Sequence, residues 1–95
     1  GPNVYYYRDS AQGRAAAEIF ANNLKLIYPY PELVKIVPTT TLVELRRTKA
    51  PAVLVEVAYH DNVDDANWIT SNIEPIAENL SLSLADVLGV PFVEI

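Results

Sequence analysis

The stretch Ala52 to Ala58, AVLVEVA, is nearly continuous apolar sequence and constrains the fold more than any other feature. A strand that faces water on one side alternates apolar and polar residues, whereas one covered on both faces does not. The run therefore predicts a central strand with neighbours on both sides and helices on both faces. Glu56 is its one interruption. With 95 residues the chain holds a single small core, since domains commonly run to about 100–200 residues.

Other elements follow from local pattern. Val4 to Tyr7 is β-branched and aromatic and predicts a strand ending at Arg8-Asp9. Ser10 is a good N-cap for an amphipathic helix from Ala11 to Tyr28, with Ala15, Ala16, Ile19, Phe20, Asn23 and Ile27 on one side. Pro29 and Pro31 stop it. Leu33 to Val37 reads as a second strand terminated by Pro38, and Thr39 to Thr41 lead into a short helical turn through Leu42, Val43 and Leu45. After the apolar strand and Tyr59, the segment His60-Asp61-Asn62 is a loop. Asp64 and Asp65 then suit the positive end of a helix through Trp68 and Ile69. Ser71 and Glu74 have capping-box spacing for a last helix beginning near Ile73, with Ile73, Ile76, Ala77, Leu80, Leu84, Val87 and Leu88 as its buried stripe. Gly89 is its C-cap and Pro91 a stop. The order β-α-β-short α-β-α-α predicts an α/β fold with a parallel sheet sandwiched by helices. Three strands make a narrow sheet, so the chain reads as part of something larger. Gly1-Pro2 reads as the scar of a cleaved expression tag, with 3–95 a single α/β segment.

Composition excludes several classes of function. Seven Lys and Arg against twelve Asp and Glu give a net charge of −5, which offers no basic stripe for nucleic acid. No apolar run approaches the roughly 20 residues of a membrane span, and no basic stretch precedes an apolar core at the start, so no membrane partner and no signal peptide are expected in this chain. Cysteine is absent, which removes disulfides, thiolate metal sites and cysteine nucleophiles and leaves the redox compartment open.

His60 is the only histidine, and no GxSxG elbow or HExxH pair accompanies it. A zinc site built from this chain alone is therefore not expected. Asp61, Asp64 and Asp65 lack the glycine and distal glutamate of a calcium loop and read as helix-start residues. Glu56 stands out: a carboxylate at the end of an apolar strand sits where open α/β sheets bind ligands. It either carries a proton or is a strand-end glutamate that faces water or pairs with Arg46, Arg47 or Lys49. Trp68 and the tyrosines are either core and rim or a sugar-stacking platform.

Thr39 to Leu42, Leu45-Arg46, Thr48 to Glu56 and Tyr59 to Asn62 with the aspartates before Trp68 resemble the closing segment of the zinc-dependent N-acetylmuramoyl-L-alanine amidases of bacteria and their phages. The core of the resemblance is Pro-Ala-x-Leu-x-Glu followed by aromatic-x-x-Asn, Pro51 to Asn62. Gly13 to Ala16 and Leu88-Gly89 are also similar. Nearly the whole chain is covered, yet it corresponds only to the later half of such a catalytic domain.

That resemblance implies a peptidoglycan hydrolase in which zinc, held by two histidines and a glutamate, activates water against the amide between muramic acid and L-alanine. Glu56 matches the family's proton-shuttling glutamate, and Tyr59 and Asn62 become candidate substrate contacts. His60 matches no metal position, and the ligands are expected upstream of Asn3. The fragment is then inactive alone and needs the upstream half of the domain, with zinc belonging to the parent enzyme, which acts at the cell envelope or outside the cell. A second reading is a non-catalytic module on the same scaffold that binds the cell wall or a protein. A third is a homo-oligomer paired through an exposed sheet edge.

Overall fold

Ser10 ends the first strand and starts the first helix by a local hydrogen bond: its Oγ accepts from the Gly13 backbone N–H at 2.8 Å. The computed structural model describes residues 1–41, 52–57 and 63–89. Within them, β1 spans Asn3–Tyr7, α1 Ala11–Lys25, β2 Lys35–Thr39, β3 Val53–Glu56, α2 Val63–Ser71 and α3 Ile73–Leu88, with a 3-10 turn at Pro31–Leu33. The expected helical turn at Leu42 to Leu45, the end of the apolar strand at Ala58 and the stop at Pro91 lie outside the described residues.

The three strands lie in the order β2-β1-β3. β1 runs parallel to β2, with Val4 opposite Ile36, and antiparallel to β3, with Val4 opposite Val55. The α/β class holds, but the wholly parallel sheet does not. A parallel return needs a long crossover, usually a full helix. Between β2 and β3 the sequence offers only one turn's worth of helical pattern, and β3 instead starts beside Tyr6, near the end of β1 that β2 has just reached.

Alternation along the strands sends Val4, Tyr6, Ile36, Val53 and Val55 to one face and Asn3, Tyr5, Tyr7, Leu54 and Glu56 to the other. The first set joins Ala17, Phe20, Ala21 and Leu24 of α1, Trp68 of α2 and Ile76 of α3 in one core cluster. Helices thus pile on a single face among the described residues, α1 on the sheet and α3 on α1, and the expected sandwich is not formed. Nor is the apolar strand central: β1 holds the middle, and Leu54 is 40% exposed. A strand patterned for cover on both faces receives it on one among the described residues.

Pro38 does not end β2 but lies inside it. Lys35 and Thr39 turn their backbone groups to β1, the Lys35 N–H donating to Pro2 O at 3.1 Å and Thr39 O accepting from Arg8 N–H at 3.0 Å. Period-two alternation then puts the Pro38 nitrogen on the outer edge, where no ladder bond is lost. α1 ends at Lys25, short of Tyr28, because the backbone tightens: the N–H groups of Ile27 and Tyr28 both reach Leu24 O. Its buried residues are Gly13, Ala16, Ala17, Phe20, Ala21 and Leu24, while Ala15 is exposed.

The predicted capping box is also replaced. Ser71 closes α2, and Asn72, at the junction, uses its side chain to donate to Trp68 O at 2.8 Å. In α3 the apolar stripe is partly outward, with Ile73, Leu84 and Leu88 exposed, and a polar seam faces α1 instead. Asn79 Nδ2 donates to Asn23 O, Asn23 Nδ2 donates to Ser83 Oγ at 2.9 Å, and Ser83 Oγ donates to Asn79 O. These bonds fix one register between two helices whose contact would otherwise slide. Ser83→Ala is expected to cost about 1 kcal/mol in urea unfolding, because a fully buried hydroxyl with two partners is removed. Gly89 caps α3 in the left-handed region at φ 69°, as its position predicts.

Candidate functional site

Glu56 closes β3, half-buried, on the sheet face away from α1. Its register partner is Asn3, whose partner on the other side is Lys35. The three side chains form a row across the sheet, Lys35 and Glu56 separated by two strand spacings, about 10 Å. Among the described residues no side chain bonds Glu56, so its carboxylate is available to a ligand on that face. One expectation needs correcting. Because β3 is antiparallel, its carboxyl end lies at the amino ends of β1 and β2, so the rule that places ligands at the carboxyl ends of parallel strands does not account for Glu56. Tyr59 and Asn62, the candidate substrate contacts, lie outside the described residues, as do His60, Arg46, Arg47 and Lys49.

A recess opens between α2 and the segment that follows α1. It has a volume of about 310 Å³ and is lined by Tyr28, Tyr30, Asp64, Asp65, Asn67 and Trp68 among others. Its tie to the sheet is the Gly1 nitrogen, 3.3 Å from Asp65 Oδ2, with Pro2 fully buried behind it. Gly1 is held close: a Cβ there would come within 2.9 Å of Leu33 Cβ and O. Asp65 stands in the first turn of α2, as expected, and is also buried, 3% exposed. The signal for this was its spacing: Asp65 and Trp68 are three apart on α2, hence on one face, and Trp68 is core.

Tyr28 follows α1 and donates its hydroxyl to Asp65 Oδ1 at 2.5 Å. Burial holds the Tyr28 phenol well above the ordinary tyrosine range, and the bond to Asp65 raises it further. Since the folded value exceeds the unfolded value of about 10, the stability from this group is complete below that pH. It is lost as pH climbs toward the folded value. Tyr28→Phe is expected to cost about 1–3 kcal/mol at neutral pH, because a buried carboxylate loses a donor. The gap to the parent should narrow above pH 10, read as urea midpoints at pH 8 and pH 11. In an ultraviolet titration Tyr28 should ionise above the ordinary tyrosine range.

Of the aromatic residues weighed in the sequence, Tyr6, Tyr28 and Trp68 are core and Tyr30 is 48% exposed. Tyr28 meets Trp68 edge to face, ring centres 5.0 Å apart at 87°, and Tyr30 at 6.0 Å and 70°. Among the described residues no group of three or more His, Cys, Asp or Glu side chains could hold a metal ion. No described helix is long and apolar enough to cross a membrane.

No protein-family model matches the sequence, and no curated protein matches it. Among solved structures, the chain is similar to the catalytic domain of the CD27L endolysin, described as targeting Clostridia Difficile, with a TM-score of 0.71 and 26% identity. The match covers 98% of this chain and 48% of that one. The chain therefore has the fold of about half of a solved endolysin catalytic domain.

Proposed function

We propose that this chain is the later part of a peptidoglycan hydrolase that cleaves the amide between N-acetylmuramic acid and L-alanine, with Glu56 as its proton carrier. The observation that carries the reading is the extent of the fold match, nearly all of this chain against half of an endolysin catalytic domain. Two features of the sheet support it. Among the described residues β3, patterned for two covered faces, has one, and its outer edge is unpaired, whereas Pro38 blunts the outer edge of β2.

Hydrolysis adds water across the amide: a C–O bond forms at the carbonyl carbon, the C–N bond breaks, and the departing nitrogen gains a proton. The Glu56 carboxylate takes that proton from water and returns it to the nitrogen, a role worth about 10²–10⁴-fold. This does not reach the rate enhancement amide hydrolysis requires. The donor set here does not fit the zinc that the resemblance implies, because the chain has one histidine and no cysteine. On this reading the ligands belong to an upstream half of the domain, and the 95-residue chain alone is inert.

The test is release of peptides with new alanine amino termini from purified peptidoglycan. The chain alone is expected to release none and to purify without stoichiometric zinc, and the chain expressed with the polypeptide encoded upstream is expected to release them. Stoichiometric zinc and turnover by the chain alone, both dependent on Glu56, would overturn the fragment reading. New ends other than alanine in the longer protein would overturn the bond assignment.

A further inference from the structure

The recess at Tyr28, Tyr30, Asp64 and Trp68 is not used by proton transfer at Glu56. Its walls meet at steep angles: the Tyr28 ring stands at 87° to Trp68 and at 70° to Tyr30. Its described lining carries two carboxylates, Asp64 and Asp65, and no cationic side chain. Asp65 is buried and engaged by Tyr28, which leaves the exposed Asp64 as the charge a ligand would meet. A sugar ring needs one broad aromatic face. Trp68 and Tyr28 are only 8% and 5% exposed and cannot offer it. A compact cation needs only one open ring face near a carboxylate, which the half-exposed Tyr30 offers in the same recess as Asp64. An anion is disfavoured by both carboxylates.

We propose that this recess binds an alkylammonium group, supplied by the free amine of a diamino acid in a wall stem peptide. The chemistry of the group comes from the recess itself, and its source rests on the proposed wall substrate. Asp64 also favours α2 through its place in the first turn, a role that needs no aromatic wall, so the variants below separate the two. On this assignment the recess holds the peptide outside the reacting bond.

Trp68 is the only tryptophan in the sequence, so intrinsic fluorescence reports on the recess directly. The 95-residue chain is titrated with Nα-acetyl-lysine methylamide, its Nε-acetylated counterpart and N-acetylglucosamine. A saturable change is expected with the free amine and none with the other two. Tyr30→Ala should weaken binding about two- to fivefold, as for an exposed cation–π contact. Asp64→Asn should weaken it and flatten its salt dependence, with the far-ultraviolet dichroism of both variants unchanged. No saturable change, an equal response to the acetylated probe or the sugar, or unaltered binding by both variants overturns the proposal. A sedimentation arm tests the source: the chain should pellet with peptidoglycan and do so less once the wall's free amines are acetylated. Unchanged pelleting overturns the wall as source. Failure of the longer protein to cleave the amide would leave the titration standing, so the two readings fail separately.

Discussion

Glu56→Gln in the longer protein is expected to lower amide hydrolysis by about 10²–10⁴-fold, with the loss in kcat and little change in KM. The substitution keeps the size and shape of the side chain and removes only its capacity to take a proton. Glu56 is half-buried at the end of β3, and no described side chain bonds it, so the unfolding midpoint should stay within about 0.5 kcal/mol of the parent. That pairing of outcomes is the point of the experiment: a merely structural strand-end glutamate would change neither rate nor stability. Glu56→Asp keeps the acid but shortens the reach by one methylene, and should fall between parent and glutamine variant, since misplacement by about 1 Å costs on the order of 10². Retention of full activity by the glutamine variant would remove Glu56 from the mechanism.

What could be read in the sequence depended on whether a signal was local. The Ser10 cap, the Gly89 stop and the strand at Val4 to Tyr7 are set by neighbouring residues, and each forms where its residues predict. Pro38 shows the limit. A proline in a strand is punctuation unless the strand is an edge with its nitrogen outward, and edge status is a property of the sheet. The same holds for strand direction: the order of elements predicts a parallel sheet, whereas β3 runs antiparallel to β1. Glu56 was legible as a lone carboxylate after an apolar run, but its position at the amino edge of β1 was not. The recess was missed because its walls come from two distant segments, Tyr28 to Tyr30 and Asp64 to Trp68, and only their packing makes them one site. In α3, periodicity places Leu84 and Leu88 in the core beside Ile76 and Leu80, whereas those two are exposed and Asn79 and Ser83, four apart, face α1.

Leu24→Ala is expected to destabilise the chain by about 2–5 kcal/mol, and Leu26→Ala by less than about 0.5 kcal/mol, although the two leucines stand two residues apart. Leu24 is fully buried at the end of α1 and packs in the cluster with Val4, Tyr6 and Tyr28, whereas Leu26 is 79% exposed. Removing three carbons from the first leaves a cavity that close-packed neighbours refill only in part. Small domains are stable by only about 5–15 kcal/mol, and this one forgoes some burial that its sequence is patterned to make. Tyr5 and Val37, half-buried, lie with Leu54 on the sheet face that no described helix covers, and Ile73, Leu84 and Leu88 are exposed on α3. The parent chain should therefore sit at the low end of that range, and the Leu24 variant should keep no more than about 3 kcal/mol at 25 °C. Urea titrations of both variants beside the parent, with Trp68 fluorescence as the probe, give the measurement. If the chain is half of a larger domain, supplying the other half should restore cooperative unfolding to Leu24→Ala, because the newly buried sheet face adds stability that the cavity does not remove. An alanine variant at Leu24 as stable as the one at Leu26 would show that the core is not centred on α1.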